Sequence, residues 1–107
     1  MGRSIEFGPA VYAEFWVSLA SLLRSYTAVH GLSGNRQAAF EVSEERILVA
    51  HGSKWLDLRR SGAVVNWLRE DGRAGKLEFS GHGRLCGPEG EEEMDMAAEA
   101  WARELMQ

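Results

Sequence analysis

Between Gln37 and Gly83 apolar side chains recur with period two, and turn chemistry interrupts them at regular intervals. This stretch constrains the fold more than any other. Four connections separate five runs: Ser43–Arg46, Gly52–Ser53, Ser61–Gly62 and Glu70–Ala74. Short Gly/Ser loops between alternating runs are hairpin signals. Pairing through these turns predicts a register. Val42 opposes Ile47, and Phe40 opposes Val49. Val49 opposes Leu56, and Ile47 opposes Leu58. Leu56 meets Trp67, Leu58 meets Val65, Trp67 meets Leu77, and Val65 meets Phe79. All of these fall on one face. A slip of one residue would reverse every side chain, so turns and hydrophobicity agree independently on an antiparallel meander.

A sheet with one apolar face needs a cover. Pro9 to His30 supplies it, with Tyr12, Phe15, Trp16, Leu19, Leu22, Leu23 and Tyr26 at helical spacing. Ala10, Ala13, Ser18, Ser21 and Ser25 form its small opposite side. Gly8–Pro9 marks the start and Gly31 the stop. A rod of about 20 residues is roughly 30 Å long and can cross five strands spaced ~4.8 Å apart. Residues 91–106 read as a second helix, with Glu91, Glu92 and Glu93 in its first turn. Its apolar stripe is Met94, Ala97, Ala98, Trp101, Ala102 and Leu105. The expected fold is α+β in two layers: long N-terminal helix, five-stranded antiparallel meander, C-terminal helix. Residues 1–107 are read as one domain. Ile5–Phe7 reads as a brief edge strand or a fraying end.

Charge and composition narrow the function. The net charge is −4, and residues 88–107 hold seven acids against one base. The acids fit a helix N-terminus. Glu6 and Glu14 argue against a signal peptide, and Ser18, Ser21, Arg24 and Ser25 interrupt any membrane span. One cysteine, Cys86, excludes an intramolecular disulfide and fits a reducing, cytoplasmic setting. Lys54, Arg59, Arg60, Arg69, Arg73, Lys76 and Arg84 do not make a nucleic-acid surface in this reading. Glu41, Asp57 and Glu78 share the face on which Trp55 would stack a base.

The sheet face away from the helices carries the functional expectations. Its predicted rows are Ala39, Ala50, Trp55, Leu68, Lys76; then Glu41, Leu48, Asp57, Asn66, Glu78; then Ser43, Arg46, Arg59, Val64, Ser80. An apolar patch of Leu48, Trp55 and Leu68 results. Such a patch marks an interface, most simply a homodimer; the other expectation is cover by Ile5–Phe7. A second function class is a small apolar ligand held between helix and sheet, walled by Tyr12, Trp16, Tyr26, Phe40, Trp67, Phe79 and Trp101. A third is acid/base catalysis by the Asp57/Glu78 row with Asn66 between them, though no nucleophile or glycine loop supports it. His30, His51, His82 and Cys86 have no spacing that assembles a zinc shell. Gly81-x-Gly83 and Gly87-x-x-Gly90 read as a bulge or strand end, not a phosphate loop. No cofactor, metal or catalytic group is assigned.

Overall fold

A computed structural model describes residues 9–34 and 36–107. Its order is helix, antiparallel sheet, helix, so the α+β architecture holds. Helix α1 spans Pro9–Gly31. It stops where the chain folds back and the Arg36 amide donates to the Gly31 carbonyl at 2.9 Å. A Cβ on Gly31 would lie 2.3 Å from the Arg36 carbonyl oxygen, so the close return requires glycine. A single 3₁₀ turn, Leu32–Gly34, follows.

Seven strands, not five, make the sheet. They are β1 (Ala39–Val42), β2 (Arg46–His51), β3 (Lys54–Ser61), β4 (Val64–Arg69), β5 (Ala74–Phe79), β6 (Arg84–Gly87) and β7 (Gly90–Glu93), in sequence order across the sheet. The last helix, α2, spans Met94–Leu105. Glu91, Glu92 and Glu93 therefore belong to an edge strand rather than to a helical turn. Arg84 lies across the pair, and its guanidinium reaches Glu91 at 3.3 Å and Glu93 at 3.0 Å. All four residues of β7 are exposed, and a charged outer strand resists pairing with another chain.

The β1–β2 and β2–β3 registers are as expected, with Phe40 opposite Val49 and Val49 opposite Leu56. The next two slip by two residues. Leu58 opposes Trp67, Arg60 opposes Val65, and Val65 opposes Leu77. The cause lies in the loops. The β3–β4 loop is Gly62–Ala63, with Gly62 at φ +60° in its first position, as Gly52 is at φ +63° in Gly52–Ser53. The β4–β5 loop closes tightly over Glu70–Gly72, with Gly72 at φ +90°. A two-residue slip preserves faces, because the side-chain period is two.

One contiguous core results. Trp16, Leu19 and Leu23 of α1 meet Ile47, Val49, Leu56, Leu58, Val65, Phe79 and Leu85 of the sheet and Ala97, Ala98 and Leu105 of α2. The Trp16 indole N–H donates to the Ser43 carbonyl at 2.8 Å, and Phe15 packs on Phe79 at 5.7 Å between ring centres. The two helices run in the same direction. Tyr26 Oη donates to Asp95 at 2.9 Å and His30 meets Glu99 at 3.0 Å, both pairs 69 residues apart. Two sheet residues receive the C-terminal end of α2. Lys54 Nζ donates to the carbonyls of Glu104 and Gln107 at 3.2 and 3.4 Å, and His51 Nδ1 lies 3.3 Å from that of Leu105. A cation such as Lys54 at a helix C-terminus satisfies its orphan carbonyls and complements its dipole. The serine and alanine back of α1 faces outward at Ala10, Ser18, Ser21 and Ser25.

Candidate interface on the open sheet face

The register fixes the rows of the uncovered face. One row is Ala39, Ala50 and Trp55. The next is Glu41, Leu48, Asp57, Leu68 and Ala74. A third is Arg46, Arg59, Asn66 and Lys76. A fourth is Val64, Glu78, Cys86 and Glu91. The slip moves Leu68 from the Trp55 row into that of Asp57, directly across from Leu48 on the far side of β3. Leu48, Trp55 and Leu68 thus lie on one face, with Asp57 between the two leucines and Trp55 one row away. Leu68 is 41% exposed.

At the centre of the patch sits a carboxylate. Asp57 is only 6% exposed, although it lies on the uncovered face. Arg46 donates from Nε and Nη2 to its two oxygens at 3.0 and 3.1 Å, and Arg59 adds Nη2 at 3.2 Å. Burial by itself pushes the carboxyl up. The hydrogen bonds and charges of the two guanidiniums outweigh that and hold it below the usual aspartate value. The signal for this triad is present in the sequence. Asp57 and Arg59 are two apart on one strand, and Arg46 is the residue opposite Arg59. The Trp55 amide donates to Glu70 Oε1 at 3.1 Å, and this bond is the main reason the Glu70 carboxyl is held low.

Two shallow hollows flank Asp57. One, of about 280 Å³, is formed by Leu48, Ala50 and Trp55 with Arg46 at its rim. The other, of about 330 Å³, lies by Leu68, Ala74 and Gly75 with Asn66 and Arg59. In both, a small residue beside a leucine leaves the depression.

The Asp57/Glu78 row does not form. Asp57 opposes Leu48 and Leu68, Asn66 opposes Arg59 and Lys76, and Glu78 opposes Val64 and Cys86. The two-residue slip places the arginine row between the two carboxylates. With its oxygens taken by two guanidiniums, Asp57 is held as an anion, the wrong form for a general acid.

The expected ligand wall also divides. Trp16 and Phe79 are fully packed in the core, and Tyr12, Tyr26 and Phe40 lie partly buried around it. The Tyr26 hydroxyl is occupied by Asp95, which raises its pKa through that hydrogen bond. Of the seven, Trp67 and Trp101 share a hollow of about 240 Å³ between α2 and the sheet.

The basic residues separate by face. Lys54, Arg60 and Arg69 point to the helix side, where Arg60 lies over the Trp16 ring at 5.8 Å and Arg69 pairs with Glu104. Arg59 and Lys76 lie on the open side. His30 meets Glu99, His51 the end of α2, and His82 sits in the β5–β6 turn. Among the described residues no group of three His, Cys, Asp or Glu side chains is placed to hold a metal ion. No described helix is long and apolar enough to cross a membrane. Ile5–Phe7, expected as the alternative cover for the patch, lies outside the described residues. Gly81-x-Gly83 forms a β-turn closure with Gly83 at φ +80°, and Gly87-x-x-Gly90 closes the β6–β7 hairpin. Comparison with protein-family models, curated proteins and solved structures returns no match.

Proposed function

We propose that this chain is a non-enzymatic interaction module, working in the cytoplasm, that forms a homodimer through the open face of its sheet. The observation that carries the reading is the juxtaposition of Leu48 and Leu68 on either side of Asp57, with Trp55 beside them. Apolar side chains gathered on an uncovered sheet face favour burial against a partner. The guanidiniums of Arg46 and Arg59 already neutralise the one buried carboxylate there, which lowers the cost of removing it further from water. The single cysteine agrees with a reducing compartment. The test is the mass of the protein in solution by size-exclusion chromatography with light scattering. Twice the chain mass is expected, and a chain mass independent of concentration overturns the proposal.

A second reading, a carrier of a small apolar ligand, is favoured by one observation. The hollow at Trp67 and Trp101 shares Trp67, Leu77 and Glu92 with a trough of about 530 Å³ along β5–β7. That volume lies within the range of small-molecule sites. Native mass spectrometry of the purified protein tests it: a co-purifying apolar molecule supports the carrier, and a bare chain mass counts against it.

A further inference from the structure

Resting on the homodimer reading, we propose how the two copies meet. They pack open face to open face about a two-fold axis running along β3, and Leu68 of each copy seats against the Leu48–Ala50–Trp55 hollow of the other.

Three features of the face lead there. The first is shape. Leu68 on β4 is an exposed projection, 41% accessible, and the hollow of about 280 Å³ lies across β2 and β3. Strands β2 and β4 flank β3 on opposite sides, and Leu48 and Leu68 both oppose Asp57. A two-fold axis along β3 therefore carries β4 of one copy over β2 of its partner at the same height. The contact is reciprocal, as a closed two-fold interface demands.

The second is charge. The same axis lays β1 over the partner's β5, since each is two strands from β3. Glu41 on β1 and Lys76 on β5 lie in adjacent rows. They carry opposite charge, so two Glu41–Lys76 pairs would flank the apolar centre. On the axis itself the two Asp57 carboxylates face each other, and each brings Arg46 and Arg59 with it.

The third is area. An axis along β3 overlays β1–β5 of the two copies and leaves β6 and β7 uncovered; five strands spaced ~4.8 Å apart and about 20 Å long present a face on the order of 500 Å². Two copies together then bury on the order of 1,000 Å², the size of a weak interface that dissociates on dilution. Sheets packed face to face cross at about −30°; an axis in the interface plane tilted from β3 by half that angle gives this crossing, and one strand spacing from the axis the resulting shift is less than one row, so Leu68 stays against Leu48. An axis across the strands would instead stack β4 on β4 and set Leu68 beside Leu68.

The test uses single cysteines in a Cys86→Ser background. Leu48→Cys and Leu68→Cys chains are oxidised each alone and as a mixture. A disulfide-linked dimer from the mixture, with neither variant cross-linking alone, is the expected result; disulfide geometry demands close Cβ atoms. Self-linking of Leu68→Cys without a mixed product overturns the arrangement. So does a dimer by light scattering that yields no mixed product, and in that case the homodimer reading stands. A monomer at every concentration overturns both. Charge reversal gives an independent check without cysteines. Glu41→Lys and Lys76→Glu should each raise the dimer Kd several-fold, and the double reversal should restore it. A double variant weaker than either single one contradicts the pairing.

Discussion

Arg46 grips Asp57 from the neighbouring strand with a two-pronged contact, Nε at 3.0 Å to one oxygen and Nη2 at 3.1 Å to the other. A fork of this geometry is directional as well as strong. It ties β2 to β3 on the face that lacks helices, where packing gives least support. It also turns the one buried acid of that face into part of a cation-rich patch.

Loss of that acid should weaken the fold in a pH-dependent way. The Asp57 carboxyl is lowered in the folded chain relative to about 3.9 when unfolded. Its contribution is therefore complete above the unfolded value and lost as pH falls through the folded one. Urea melts of wild type and Asp57→Asn should differ by about 1–2 kcal/mol near neutral pH. The gap should close below about pH 4. A gap that stays constant down to pH 2 would contradict the assignment.

Arg69 and Glu104 should behave asymmetrically. Arg69 is 4% exposed and pairs with Glu104, while its Nε has no hydrogen-bond partner among the described residues and lies 3.7 Å from Glu70. Glu104 is far more open. Glu104→Ala leaves a buried cation short of a partner and should destabilise by about 1–3 kcal/mol. Arg69→Met removes the desolvated charge and frees only partly exposed carboxylates, so its effect should stay within about 1 kcal/mol of zero. Thermal or urea denaturation of the two variants measures the difference; equal losses would contradict the account.

Gly75 and Trp67 should be coupled. They are directly opposed across β4 and β5, and a Cβ on Gly75 would lie 2.5 Å from the Trp67 indole nitrogen. Gly75→Ala should cost about 1–3 kcal/mol by overpacking. In a Trp67→Leu background most of that penalty should vanish, and a double-mutant cycle reads the coupling. Additive effects would mean that the ring does not lie over the glycine.

Gly62→Ala should destabilise by about 1–2 kcal/mol although nothing lies within 4 Å of the new methyl. The cause is the backbone, since Gly62 holds φ +60°. Ala63→Gly, at the neighbouring loop position, should cost less. Calorimetry on the pair locates the loop at Gly62–Ala63 and with it the register of β3 and β4.

The faces of the strands were legible in the sequence, and the height of each strand was legible only in part. Apolar alternation decides which way Leu58 or Trp67 points, and a two-residue slip does not change it. Height depends on where the glycine sits in the loop. Gly52–Ser53 placed glycine first and gave the observed register. Reading Ser61–Gly62 placed it second, against the positive φ that Gly62 adopts first in its loop. The loops after β4 and β5 share one closure. Gly72 donates to the Arg69 carbonyl and Gly83 to that of Ser80, each glycine at positive φ. That Gly-terminated three-residue pattern, Glu70-Asp71-Gly72 and Gly81-His82-Gly83, was available to a closer reading. Strands β6 and β7 left little trace, because Leu85 is their only fully buried side chain. Three consecutive glutamates resemble a helix start more than an edge strand, and only their backbone pairing with Arg84–Cys86 shows otherwise. On the open face, Leu48, Trp55 and Leu68 were legible from alternation alone. The supposed Asp57–Asn66–Glu78 row was not real, because rows need height as well as face.

Light scattering across a concentration series, on wild type and Trp55→Ser side by side, tests the homodimer most directly. Wild type is expected at twice the chain mass, dissociating on dilution, with Trp55→Ser shifted towards the mass of one chain at the same concentrations. Wild type at the single-chain mass throughout, or a dimer that Trp55→Ser leaves unchanged, would contradict it.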